Sequence, residues 1–261
     1  MVPLLGSLQF PQIGELVDWK TLGGAGFNKA SLTIIVASVI VLAMFFVAGR
    51  KKAMVPTGVQ NLVEASVDFV ADGIIMQTIG EEGMGFLPYL TTLFWFILVC
   101  NLFEIVPIFQ FPPMARMAMP MVLALVTWVI YNGVGFKHQK LSYIKNSLSM
   151  PGLPKAILPL YALIEGLQIL IVRPFSLAVR LFANMLAGHL LLVTFALLTD
   201  ALIFHDGVKA GGFPLFSPLA ILPLAMDIGI TGFEVLVAVL QAFIFTILTA
   251  VYIGGSMHPE H

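Results

Sequence analysis

An all-α integral membrane protein, one membrane domain over residues 1–261, is the fold class predicted by three observations. Of the 261 residues, 59% are hydrophobic and 10% charged, where a soluble domain carries about 25% charged residues. Long apolar stretches reach or exceed the roughly 20 residues a helix needs to cross a bilayer core of about 30 Å. The ionisable residues inside the last two of these stretches recur at helical spacings. Thirteen basic and fourteen acidic side chains nearly cancel, so nothing points to a nucleic-acid partner. The single cysteine, Cys100, rules out an internal disulfide and a cysteine-clustered metal site.

The elements follow in chain order. Residues 1–30 form an outer N-terminal segment; the first basic residue is Lys20, and the basic start and compact apolar run of a cleavable signal are missing, so the N-terminus is expected to be retained. Leu32–Gly49 is the first span. Leu87–Phe109 and Met117–Phe136 form a helix hairpin over 87–136. Ala156–Phe204 and Phe213–Ile253 make a longer hairpin over 156–253. A helix of that length must tilt strongly, or break and fold back.

Residues 57–78 differ in kind. Val59, Leu62, Val63, Val67, Val70 and Ile74 recur at helical spacing, with Gln60, Glu64, Asp68 and Asp72 on a separate ridge. Basic residues favour the cytoplasmic side. Arg50, Lys51 and Lys52 follow the first span, and Lys137, Lys140, Lys145 and Lys155 surround the loop Leu141–Pro154. Both clusters lie inside only if 57–78 rests on the surface. The chain then starts outside, crosses five times and ends inside at His261. An acidic ridge suits a protein neighbour better than anionic lipid.

Ionisable groups in a span cost on the order of 2.5–3.5 kcal/mol each and normally mark a pathway. The first long helix carries Arg173, Arg180, Asn184, His189 and Asp200, and the last carries Asp227, Glu234 and Gln241. Ser176, Ala183, Asn184 and Ala187 lie within about 60° of Arg180. Small residues admit another helix closely, and the guanidinium there either pairs within the chain or meets an anion brought from outside. Asp227, Glu234 and Gln241 recur every seventh residue, a polar wall about 21 Å long. Such a wall is either a set of satisfied interhelical hydrogen bonds or a hydrated path.

Asp206, Gly207, Gly211 and Gly212 mark the turn of this hairpin. Counted outward from residues 210–212, Arg180 comes level with Gln241 and His189 with Glu234. His189 stands about 180° around its helix from Arg180, whereas Glu234 and Gln241 share a face, so a straight hairpin does not seat both pairs equally well.

At these residues the sequence resembles the membrane-embedded a subunit of F-type ATP synthases. The resemblance covers most of the chain and rests on V-P-T-G-V-Q-N-L-V-E at 55–64, N-L-F-E-I-V-P at 101–107, R-P-F-S-L-A-V-R-L-F-A-N-M-L-A-G-H at 173–189 and L-Q-A-F-I-F at 240–245. It implies that Arg180 is the family's essential arginine, Asn184 its neighbouring asparagine and Gln241 the glutamine of the last helix. His189 and Glu234 fall on two positions that some members fill with Glu first and His second. Glu165 resembles the acidic residue before the arginine motif, with one residue more between it and Arg180 than in some members. Arg116 departs from the pattern, and no role is assigned to its loop.

The resemblance further implies a ring of c subunits, each with a membrane carboxylate, together with peripheral-stalk b-type subunits and lipid. It implies two offset aqueous half-channels, nearly horizontal long helices and a bacterial plasma membrane. Protons are expected to enter from outside near Asp200, His189, Glu234 and Asp227, and to leave by an inner half-channel lined by Glu165. Arg180 would favour the ionised ring carboxylate and block leak between channels. A G-x-x-x-x-G-K-[ST] loop is missing, so no nucleotide, cofactor or metal is expected on this chain and the catalytic head is another subunit. A sodium site would need oxygen ligands that the hairpin offers sparsely. The competing class, a stand-alone ion-coupled secondary transporter, would show inverted repeats, and none is seen.

Overall fold

The computed structural model describes residues 29–50, 55–106, 113–140, 142–143, 157–200 and 218–257. Residues 1–28 of the N-terminal segment expected over 1–30, the expected hairpin turn Asp206–Gly212, most of the Leu141–Pro154 loop, and Lys51, Lys52, Lys145, Lys155 and His261 lie outside them. Every regular element among the described residues is helical, as backbone amides in hydrocarbon require, since only internal hydrogen bonds can satisfy them there.

Helix α1 spans Lys29–Arg50. Ala37 and Val41 turn into the protein, while Val39, Leu42 and Phe46 stay exposed as a lipid-type face. Helix α2, Val59–Val70, continues through a π-helical turn, Ala71–Ile75, to Thr78. Val63, Val70, Ile74 and Ile75 are buried, and Glu64, Asp68 and Asp72 are exposed. The division differs from the expected one at its start: Val59 and Leu62 are exposed and Gln60 is buried, its Nε2 donating to Glu64 at 2.8 Å. Trp95 Nε1 donates to Ser66 Oγ at 2.8 Å, and Val70 packs near Leu90, so α2 runs back along the start of the next helix.

Helices α3, Leu87–Ile105, and α4, Ala118–Gln139, follow, and Tyr89 Oη and Thr127 Oγ1 are hydrogen-bonded at 3.2 Å; they do not pack along each other as a hairpin, because the last helix packs against both. Helix α5, Leu158–Leu167, passes through a π-helical turn, Gln168–Val172, into α6, Arg173–Asp200. Helix α7 spans Pro218–Met257. Five helices have the length and composition to cross a membrane, and the last two, Leu158–Thr199 and Ile221–Met257, hold 42 and 37 residues. At 1.5 Å per residue they are about 63 and 55 Å long, well beyond a 30 Å hydrocarbon core.

Helix α7 lies at the centre. Ala242 and Phe245 pack with Leu177, Ala178, Leu181 and Met185 of α6 and with Ile97 and Cys100 of α3. At its C-terminal end Ile253 and Met257 pack with Tyr131 and Val134 of α4. Dispersion over close-packed side chains is the main force available here, because lipid tails are as apolar as the core.

Candidate functional site

Polar side chains gather at three levels along α6 and α7. In the middle level Asn184 Nδ2 donates to Gln241 Oε1 at 2.6 Å. Gln241 is therefore met by Asn184, one turn beyond the expected Arg180. About 40° separates those two residues on α6. That rotation points the Asn184 amide at α7 and leaves Arg180 exposed.

Around Arg180 the small-residue stripe is open. Ser176, Ala183 and Ala187 are exposed with it. Among the described residues no carboxylate lies within the 4.0 Å of an ion pair with Arg180. The first of the two sequence-level alternatives, pairing inside the chain, finds no support there.

The second level lies toward the C-terminal end of α3. His189 Nδ1 stands 4.0 Å from Glu104 Oε1, and Glu104 is in electrostatic range of Glu234. All three are buried. Glu234 sits over Gly188, whose missing side chain makes the room: a Cβ built there falls on the carboxylate. The angular conflict in the sequence disappears, because His189 reaches α3 while the α7 wall faces Gly188 and Asn184. Both Glu104 oxygens, Asn101 Oδ1 and Gln241 Nε2 are buried without a hydrogen-bond partner among the described residues. Asn101 Nδ2 donates to the Ala238 carbonyl at 3.2 Å. Buried polar atoms left in this way require water or a proton-bearing group.

Glu104 and Asn101 were missed as site residues by sequence reasoning, which weighed only the last two helices. The signal was available: Asn101 and Glu104 are two polar residues three apart, on one face of an otherwise apolar span.

At the third level, toward the C-terminal end of α7, Glu165 accepts a hydrogen bond from Arg173 Nη2 at 2.8 Å. The Arg173 guanidinium lies 5.4 Å from the centre of the Tyr252 ring. Asp227 is half-buried one step along the wall from Glu234, and Thr231 Oγ1 donates to its backbone carbonyl at 2.8 Å. Asp200 closes α6, and its side chain lies outside the described residues. Among the described residues no group of three His, Cys, Asp or Glu side chains is arranged to hold a metal ion.

Gly188→Ala tests the cavity over Glu234. The added methyl meets the flexible end of a side chain, so the chain should assemble at native levels while the carboxylate is displaced. A fall in proton flow of roughly threefold or more is expected, of the size that small misplacements in proton transfer produce. Native proton flow in reconstituted vesicles would show that the carboxylate position is immaterial.

The family model for the ATP synthase A chain matches residues 31–254. A Frankia alni protein named ATP synthase subunit a is 45% identical over 237 residues, 90% of this chain and 79% of the relative. Proteins of the same name from a Nocardioides species and from Maricaulis maris are 38% and 35% identical, each over 96% of this chain and over 91% and 96% of the relative. By the length of that match and the identity of these relatives, the chain belongs to the ATP synthase A chain family.

Proposed function

We propose that the chain is the proton-path subunit of a rotary ATP synthase in a bacterial plasma membrane, and that it meets the c-ring along the Arg180 face of α6. The observation that carries this reading is an exposed guanidinium on a stripe of small residues, with no carboxylate beside it among the described residues. A permanent charge in hydrocarbon requires an anion, and a rotating ring delivers one repeatedly.

The levels behind that face divide into two half-channels. Glu104, His189, Glu234 and Asp227, with Asp200 beyond them, form the outer one, since basic residues after α1 and α4 put the C-terminal end of α3 outside. Glu165 with Arg173 lines the inner one. His189 and Arg180 are separated by about 13 Å along α6, and Arg180 and Arg173 by about 10 Å. A proton therefore has no direct route past Arg180 and crosses only on a ring carboxylate, which rotates through lipid as a neutral group. Each proton brings about 2.3 kcal/mol per 100 mV. The acidic ridge of α2, Glu64, Asp68 and Asp72, faces a protein neighbour, for which the b-type stalk subunits are the candidates.

Purification from membranes in mild detergent tests the reading. The chain is expected to arrive with a ring of small carboxylate-bearing subunits and a nucleotide-hydrolysing head. Arrival alone, or as a homo-oligomer that transports a solute, would establish the secondary-transporter reading in its place.

A further inference from the structure

Pro174, the second residue of α6, has no N–H, and inside a helix its ring presses on the carbonyl four residues back. The turn just before it is wide: the Arg173 N–H reaches back five residues to the Gln168 carbonyl. That leaves the Ile169 carbonyl without a donor. Its α-helical partner, the Arg173 N–H, is engaged elsewhere, and its partner in a π-turn would be residue 174, the proline. Two side chains of α4 fill the position. Trp128 Nε1 donates to the Ile169 carbonyl at 3.0 Å and Tyr131 Oη at 2.8 Å. They stand three residues apart on one face of α4.

A π-turn takes up one residue more than an α-turn, so everything after it is set back by about 100°. With that setback Glu165, Arg173, Arg180 and Asn184 fall within about 40° of one another. In an unbroken α-helix Glu165 would stand about 60–100° away from the other three. The 2.8 Å ion pair between Arg173 and Glu165, eight residues apart, is the observed result of this alignment. The Tyr131 ring also contacts Tyr252, 5.7 Å between centroids, and Tyr252 in turn lies beside the Arg173 guanidinium.

We propose that Trp128 and Tyr131 are positioning residues of the proton path: they stand in for the N–H that Pro174 lacks, hold the π-turn, and so set the rotational phase that brings Glu165 onto the face of Arg173 and Arg180. The inference rests on the reading of Arg180 as the ring-facing cation. It assigns a role to α4, which carries no ionisable group of the path.

The test is Trp128→Phe combined with Tyr131→Phe, which keeps both rings and removes both donors. Proton-driven ATP synthesis per purified complex is expected to fall about tenfold. Pro174→Ala alone should stay within about threefold of native, and added to the double variant it should restore synthesis to within about threefold, because residue 174 then offers its own N–H to Ile169. A general packing defect on α4 is not repaired by changing a proline on another helix. If the double variant fails to accumulate in the complex, recovery of its amount by Pro174→Ala is the same result read as yield. Synthesis by the double variant within twofold of native overturns the proposal, as does a loss that persists with Pro174→Ala. Collapse on Pro174→Ala alone also overturns it, since a filled carbonyl is all that is required. Failure of the ring-facing reading shows separately, as native synthesis by Arg180→Ala in a chain with residues 128, 131 and 174 untouched.

Discussion

Arg180→Ala should abolish proton-driven ATP synthesis while leaving the chain in its complex at native amounts. The guanidinium is exposed on α6 and has no carboxylate partner among the described residues, so its removal breaks no buried pair and leaves the fold intact. What is lost is the charge that favours an ionised carboxylate on an arriving ring subunit and that bars direct leak between the levels on either side of it. Arg180→Lys should fail as well, because a compact ammonium lacks the planar fork and its charge shifts readily in an apolar setting. ATP synthesis and passive proton leak in membrane vesicles measure both functions. Near-native synthesis with either replacement removes the assigned role.

The second large effect is expected at the buried cluster of Glu104, His189 and Glu234. Glu104→Gln preserves shape and removes a proton-carrying group from beside His189, so proton flow should fall by roughly a hundredfold or more, the scale on which a positioned acid or base contributes to a transfer step. Glu104→Asp should lose less. Because each of the three can carry a proton, loss of any one should change the pH profile of proton flow and not only its maximum. Exchanging His189→Glu with Glu234→His keeps an acid and an imidazole in the cluster and should recover part of the loss of the worse single variant. A double exchange no better than that variant, together with a native profile for Glu104→Gln, would remove the cluster from the path. Gly188→Ala acts on the same carboxylate through space alone, and its effect should be smaller than either acid replacement.

The family, the all-helical class, the five long apolar helices and the Arg180 stripe were legible in the sequence because each is a matter of local composition or of 100° periodicity along one helix. Apolar length declares a span, and a charge within it declares a partner. The seven-residue wall of α7 is of the same kind, and Glu234, Ala238 and Gln241 are all buried on one side of that helix. Contacts between helices depend on rotation as well as level, and rotation is set by packing that sequence spacing does not record. A turn of about 40° gives Gln241 to Asn184 and leaves Arg180 facing outward. His189, read against α7, instead meets Glu104, because a third helix occupies the side that a two-helix count ignores. Glu165 and Arg180 stand fifteen residues apart in the sequence. Only the tertiary structure shows that a π-turn beside Pro174 takes up one of those residues, and that the carbonyl it orphans is satisfied by side chains from a helix some forty positions earlier in the chain.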